Sequence, residues 1–337
     1  MEHFNNKERK NLNKAIAVLD ADLEQFKKVM KYIDLHVNMT FNEQTFSELK
    51  EVCKVILNNV PFMISFVEST YITRARKNTK ELFSKKQDIS CNTNIERIEA
   101  GRFNLEKQSV FYGCLPTYHP NGERINYRNQ CPMFEVCKEI TTHEGLTFPI
   151  FFTLGFWKVT KPLAVMNLCY DEDHLDSNSA LDRPVKAFIE NLQASCPKDV
   201  FDFIMNVWRY FSGLSRKWDE ANHRNYYYIL TAFFAAFEES HQETYHTSCT
   251  GIIYPSAMTQ AKGLNIVLNP KSVDEHLELT HVQMYTLRSR GLPYDYEPLT
   301  KAVQVLDDGF TFEPKFISEY NMFMHNWDEV NWSLFNN

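Results

Sequence analysis

Apolar residues in the first part of the chain recur at three- and four-residue steps. Ile16, Leu19, Leu23, Phe26, Met30 and Ile33 trace one stripe, which predicts an amphipathic helix. Thr45 and Glu48 have the spacing of a capping box ahead of Leu49, Val52, Ile56 and Leu57, and Pro61 ends that second helix. From Tyr71 the period changes. Residues 71–76, 109–112, 148–156 and 163–168 are short runs rich in β-branched and aromatic side chains, which predicts strands. Alternation along the first of these puts Arg74 and Arg76 on one face. The prolines, asparagines and glycine of 116–132 predict an inserted surface loop.

Helices return after Asp182-Arg183-Pro184, where an acidic cap precedes proline near the first turn. Residues 200–214 and 222–237 are strongly apolar and predict two more. Gly251-Ile252-Ile253-Tyr254-Pro255-Ser256 then reads as a strand closed by a proline and a hydroxyl residue. A partner strand enters at Gly263 and runs to Leu268, and 281–287 is one more strand. The C-terminal aromatics Phe323, Trp327, Trp332 and Phe335 are expected to pack back on the body. Helices between strands, without regular βα alternation, predict an α+β fold. The expected division is a helical N-terminal extension over 1–65, a main domain over 66–275 and a C-terminal extension over 276–337. The N-terminal pair is either a cap on the main domain or a docking surface.

Composition narrows the setting. A net charge of −7 argues against a general nucleic-acid binder, which carries a basic surface. The eight cysteines include no CxxC pair, and residues 1–12 have no secretory apolar core, so a cytoplasmic protein with free thiols is expected. The most apolar run, 226–237, is too short to span a membrane. Aromatic residues reach 14 %, enough for an aromatic-lined pocket that stacks a planar ring.

Candidate chemistry lies in separated pieces. Two guanidiniums on one strand face can grip a diphosphate, or merely solvate a strand edge. In Gly101-Arg102-Phe103-Asn104 the glycine lets the backbone approach a ligand, Phe103 offers a ring and Asn104 both a donor and an acceptor. Tyr112 ends the next strand. Glu139 follows Phe134 in a short helical stretch with an apolar face, where a carboxylate can steady an oxocarbenium ion; Glu135 lies one turn away. Ser256 is presented at a defined place by Pro255 but has no base and no G-x-S-x-G elbow, so it reads as a hydrogen-bonding group. Cys114, His119, Cys131, Cys137 and His143 crowd one region at spacings that fit no zinc signature, so no metal is expected. P-loop and Rossmann glycine patterns do not occur.

Taken in order, these residues resemble the RES domain, a family of bacterial toxins named for its arginine, glutamate and serine. The matching pieces are Arg74-Ala75-Arg76, Gly101-Arg102-Phe103-Asn104, Val110-Phe111-Tyr112, Glu139, and 251–256 with Asn265-Ile266-Val267-Leu268; 163–168 and the helix at 226–237 are similar to further family elements. They span about 70–270. The resemblance implies a mixed-sheet fold related to ADP-ribosyltransferase toxins, and cleavage of the nicotinamide–ribose bond of NAD⁺ with water or phosphate as acceptor. It also implies no cofactor beyond NAD⁺ as substrate, and a helical antitoxin as partner, whose place the chain's own extensions are expected to take in part. On this reading Arg74, Arg76 and Arg102 bind the dinucleotide, with Phe103, Asn104 and Tyr254 beside it. Tyr112 flanks the nicotinamide, Glu139 steadies the ribosyl cation and Ser256 hydrogen-bonds the substrate. Transfer of ADP-ribose to a protein keeps the same fold. A non-catalytic interaction module is the alternative of another class.

Overall fold

The computed structural model of the protein describes residues 6–39, 41–78, 82–116, 127–137, 150–170, 182–217, 223–245, 251–259, 263–288 and 295–325. Three helices open the chain: α1 (Asn6–Ala21), α2 (Leu23–Leu35) and α3 (Glu43–Asn59). The N-terminal stripe is therefore shared by two helices, with a break at Asp22. Asn42, rather than Thr45, caps α3. Its side chain accepts from the Thr45 backbone N–H, while the Thr45 hydroxyl accepts from the Asn42 backbone N–H, each at 2.9 Å. The helix ends one residue before the Val60-Pro61 pair, as its proline requires.

Strands β1 (Ile64–Val67), β2 (Tyr71–Lys77) and β3 (Phe111–Leu115) follow, then helix α4 (Tyr127–Val136). Part of the expected surface loop is thus helical, and Cys131, Pro132 and Met133 are buried against the sheet. Their apolar faces outweigh the turn-forming composition around them. Next come β4 (Ile150–Val159), β5 (Leu163–Asn167), α5 (Asp182–Ser195), α6 (Lys198–Arg216) and α7 (His223–Tyr245). The chain continues through β6 (Gly251–Pro255), β7 (Leu264–Leu268), α8 (Pro270–His276), β8 (Leu277–Arg288) and β9 (Asp295–Lys301). A small hairpin, β10 (Gln304–Val305) with β11 (Phe310–Thr311), and α9 (Pro314–His325) complete it.

The fold is α+β. Among the described residues nine strands form one mixed sheet in the order β1-β5-β6-β7-β3-β2-β4-β8-β9. The pair β5–β6 is parallel and the other pairs are antiparallel. Two aromatic-rich cores clothe the first half of the sheet. On one face, alternate residues Ile252, Tyr254 and Val267 pack with α1–α3, α6 and α7 in a single cluster. On the other, Ile253, Ile266 and Leu268 pack with Phe111, Trp157 and the strand residues Val165 and Leu163. The N-terminal helices share that first cluster with Trp208, Phe211 and Phe233, so they complete the core rather than sit upon it. Lys50 and Lys54 of α3 add ion pairs to Glu239 of α7 at 2.6 and 2.5 Å. C-terminal to the main sheet strands, Phe151 meets Tyr320 of α9 edge-on at 5.5 Å. Trp327, Trp332 and Phe335 lie outside the described residues.

One join in the sheet is weak. The strands β2 and β3 share a single paired position, Thr73 with Cys114, whereas β2–β4 and β3–β7 pair along their lengths. At that pin there is no room for a side chain: a Cβ on Gly113 would lie 2.4 Å from Ile72 Cγ2 and 3.3 Å from the Thr73 carbonyl oxygen. Beyond it the ladder stops, and the Tyr112 carbonyl is met instead by the Arg74 guanidinium, whose Nη1 donates to it at 2.7 Å.

Candidate active site

The interrupted seam opens into a cavity of about 580 Å³, within the roughly 300–1,000 Å³ typical of small-molecule sites. Its walls take consecutive residues from both seam strands, Arg74, Ala75 and Arg76 from β2 and Tyr112, Gly113 and Cys114 from β3. Glu99, Gly101 and Arg102 arrive on the loop before β3, Glu135 from α4, Tyr227 from α7, Tyr254 from β6 and Asn265 from β7. The alternation that aligns Arg74 with Arg76 is kept, because β2 is regular over both. None of the lining residues belongs to α1–α3.

The 101–104 segment is a tight turn closed by the Gly101 N–H donating to the Asn104 carbonyl at 3.0 Å. A Cβ on Gly101 would lie 2.4 Å from Asn104 Oδ1 and 3.0 Å from the Tyr112 hydroxyl, so a side chain there has no room. Asn104 is fully committed: its Nδ2 donates to the Glu99 and Leu105 carbonyls at 3.0 and 2.8 Å, and its Oδ1 accepts from the Tyr112 hydroxyl at 2.8 Å. The same phenol oxygen accepts from the Phe103 N–H at 2.8 Å. Phe103 is fully buried, packed on Tyr254 with ring centroids 4.8 Å apart and on Phe234 at 6.1 Å. Phe103 and Asn104, expected beside the substrate, thus stand behind the wall and hold the turn. Tyr112 and Tyr254 are on the wall, and burial keeps both phenols protonated with pKa values raised.

What this turn delivers is Arg102. Its side chain is only 8 % exposed. Its guanidinium lies 3.9 Å from Glu135 Oε2 and 6.0 Å from the centre of the Tyr227 ring. Buried Nε and Nη2 have no hydrogen-bond acceptor among the described residues. Burial works against its charge, but Glu135, followed by the surrounding tyrosines, outweighs this and raises its pKa. Arg74 differs. Burial foremost, and then Arg76, lower its pKa to about 10, its Nε also lacks an acceptor, and its face lies 5.0 Å from the Phe111 ring centre. Arg76 is shifted down by burial too. Three guanidiniums against Glu99 and Glu135 leave the cavity net positive, and Arg74 and Arg102 each keep buried donors without an acceptor. Such a charge balance suits an anion.

Glu135 is the carboxylate of this wall nearest to Arg102. Glu139 lies outside the described residues; Glu135 stands on the cavity wall. Its Oε1 accepts from Ser256 Oγ at 2.5 Å and from Asn265 Nδ2 at 2.8 Å. Ser256 is fully buried and off the cavity wall, so its hydroxyl reaches Glu135 rather than the cavity. Asn265, Tyr227 and Glu99 were not anticipated as wall residues. The available signal for Asn265 was a single amide at the head of an apolar strand, where an unpaired polar group is costly.

Among the described residues no group of three or more histidine, cysteine or acidic side chains is placed to hold a metal; His119 and His143 lie outside them. No helix among them is long and apolar enough to cross a membrane. Comparison of the chain with protein-family models, curated proteins and solved structures gives no match.

Proposed function

We propose that this protein cleaves the nicotinamide–ribose bond of NAD⁺. The observation that carries the reading is a carboxylate with one oxygen tied by Ser256 and Asn265, set in a cavity with three guanidiniums. Nicotinamide leaves as a neutral base because the electron pair of the breaking bond cancels its ring charge, so no acid is needed. The demand is for negative charge beside the ribosyl cation and positive charge around the diphosphate. Glu135 supplies the first and Arg74, Arg76 and Arg102 the second. Tyr227 and Tyr254 give the planar rings apolar faces. Water or phosphate then bonds to the freed ribosyl carbon and gives up a proton, yielding ADP-ribose or its phosphate. The RES resemblance supports the same chemistry, with an antitoxin as the partner it would bring.

Incubating the purified protein with NAD⁺, with and without phosphate, tests this. Nicotinamide release is expected, abolished in Glu135→Gln. Product analysis separates the acceptors: label from NAD⁺ retained on protein would replace hydrolysis by ADP-ribosyl transfer. Absence of nicotinamide release under both conditions would reject the proposal.

A further inference from the structure

Behind Glu135 stand one amide and, beyond it, two thiols. Asn265 pairs in register with Cys114 of β3 on one side and with Tyr254 of β6 on the other. It is 2 % exposed yet contributes to the cavity wall. Cys114 Sγ lies 3.2 Å and Cys131 Sγ 3.6 Å from its Oδ1, while its Nδ2 donates to Glu135 Oε1 at 2.8 Å. Cys131 reaches this place from α4, the helix that also carries Glu135. Room for it comes from Gly263, where a Cβ would lie 2.7 Å from the Cys131 sulfur.

A carboxamide has a donor end and an acceptor end that differ little in shape. Here its surroundings choose between them. Flipping Asn265 would set its oxygen against the Glu135 carboxylate, acceptor against acceptor, and its NH₂ against two thiols that are poor acceptors. Burial, the foremost effect, raises the Cys114 pKa well above the usual thiol value and keeps it an S–H donor. Resting on the proposed NAD⁺ cleavage, we infer that Cys114 and Cys131 are positioning residues that fix the Asn265 amide, and that Asn265 in turn fixes the plane of Glu135. With Oε1 occupied by Ser256 and Asn265, Oε2 is left on the side of Arg102. Rotation of the carboxyl group breaks two hydrogen bonds at once. The thiols act through the amide, at one remove from substrate.

The decisive variant is Asn265→Asp, which keeps the shape and replaces the donor by an acceptor. A second carboxylate beside Glu135 disfavours ionisation of the first, so the acid limb of the pH–rate profile moves to higher pH by about one unit or more. The other titratable groups around Glu135 are Arg102, Tyr227, Tyr254, Cys114 and Cys131, and the variant leaves them in place. Turnover is expected to fall roughly tenfold or more with KM within about threefold, the signature of a group that acts on the chemical step. Cys131→Ala is expected to lower kcat, and Cys131→Ser, which restores a donor, to recover most of that loss. A readout independent of turnover is the S–H stretching band of Cys131, assigned by difference against Cys131→Ser. It should move to higher frequency in Asn265→Leu, because the thiol loses its acceptor. An unmoved band, or equal activity in the Ala and Ser variants of Cys131, would overturn the relay. An unmoved acid limb in folded Asn265→Asp would do so too. If the wild type releases no nicotinamide, the functional reading fails while the infrared band still decides the relay.

Discussion

The helical face of the sheet and the seam between β2 and β3 bury polar and aromatic groups on opposite terms. On the helical side the large rings stack on one another, Tyr170 on Trp208 at 4.1 Å and Phe211 on Phe233 at 4.0 Å. Their polar atoms are used: the Trp208 indole donates to the Pro61 carbonyl and the Tyr170 hydroxyl accepts from the Met63 N–H, both at 2.9 Å. In the seam, rings face guanidiniums, and Arg74 and Arg102 keep buried donors without acceptors. Buried cations with open donors lower stability. Hydroxyls such as those of Ser212 and Thr231 are left without partners on the helical side too, but they are neutral; among the described residues the buried cations with open donors lie in the seam, which suits that cavity to an anion.

That contrast can be broken most severely by removing residues 1–60. The cluster around Trp208, Phe211 and Phe233 would lose Leu19, Ile33, Leu49 and Ile56, all fully buried. Loss of cooperative thermal unfolding is expected; a folded product with raised NAD⁺ turnover would instead support an inhibitory extension. Glu135→Gln comes next, with nicotinamide release down by roughly 100-fold or more and a melting temperature close to that of the wild type. A matching loss of stability would mean that Glu135 is a structural group.

Trp208→Ala should act the other way, costing about 3–5 kcal/mol in urea unfolding while leaving KM for NAD⁺ near its original value in the folded fraction. Arg102→Met removes a cation with open donors and a partner for Glu135. Affinity for ADP-ribose by calorimetry should drop roughly 10- to 100-fold, the range of a charge-assisted contact, with a much smaller change in stability than for Trp208→Ala. Equal affinity in variant and wild type would detach Arg102 from anion binding. Smallest of all is Lys54→Met: its ion pair with Glu239 is partly exposed, so the change should stay within about 1 kcal/mol. A larger loss would show that α3 is held to α7 by charge more than by its apolar stripe.

Periodic features were legible before the fold was known. The stripe from Ile16 to Ile33 does face the core, Arg74 and Arg76 do share a cavity, and 251–255 does pair antiparallel with 264–268. Each depends on neighbours two to four residues apart. Less legible was α4, whose turn-forming sequence around Cys131 and Pro132 gave way to burial against β2. The single Cα pairing of Thr73 with Cys114 left no trace in either strand taken alone.

By itself the sequence determined the α+β class, the face on which two arginines lie and the hairpin that carries Ser256 and Asn265. Only the tertiary structure decided which wall carboxylate meets Ser256, that Phe103 and Asn104 support the wall from behind, and that the N-terminal helices belong to the main core. The physical reason is range. Strand and helix periods are written in local repeats, but Glu135 meets Ser256 across 121 positions and Asn265 across 130. Those contacts exist because an interrupted sheet leaves room between β2 and β3, and a helix brings its carboxylate to fill the edge.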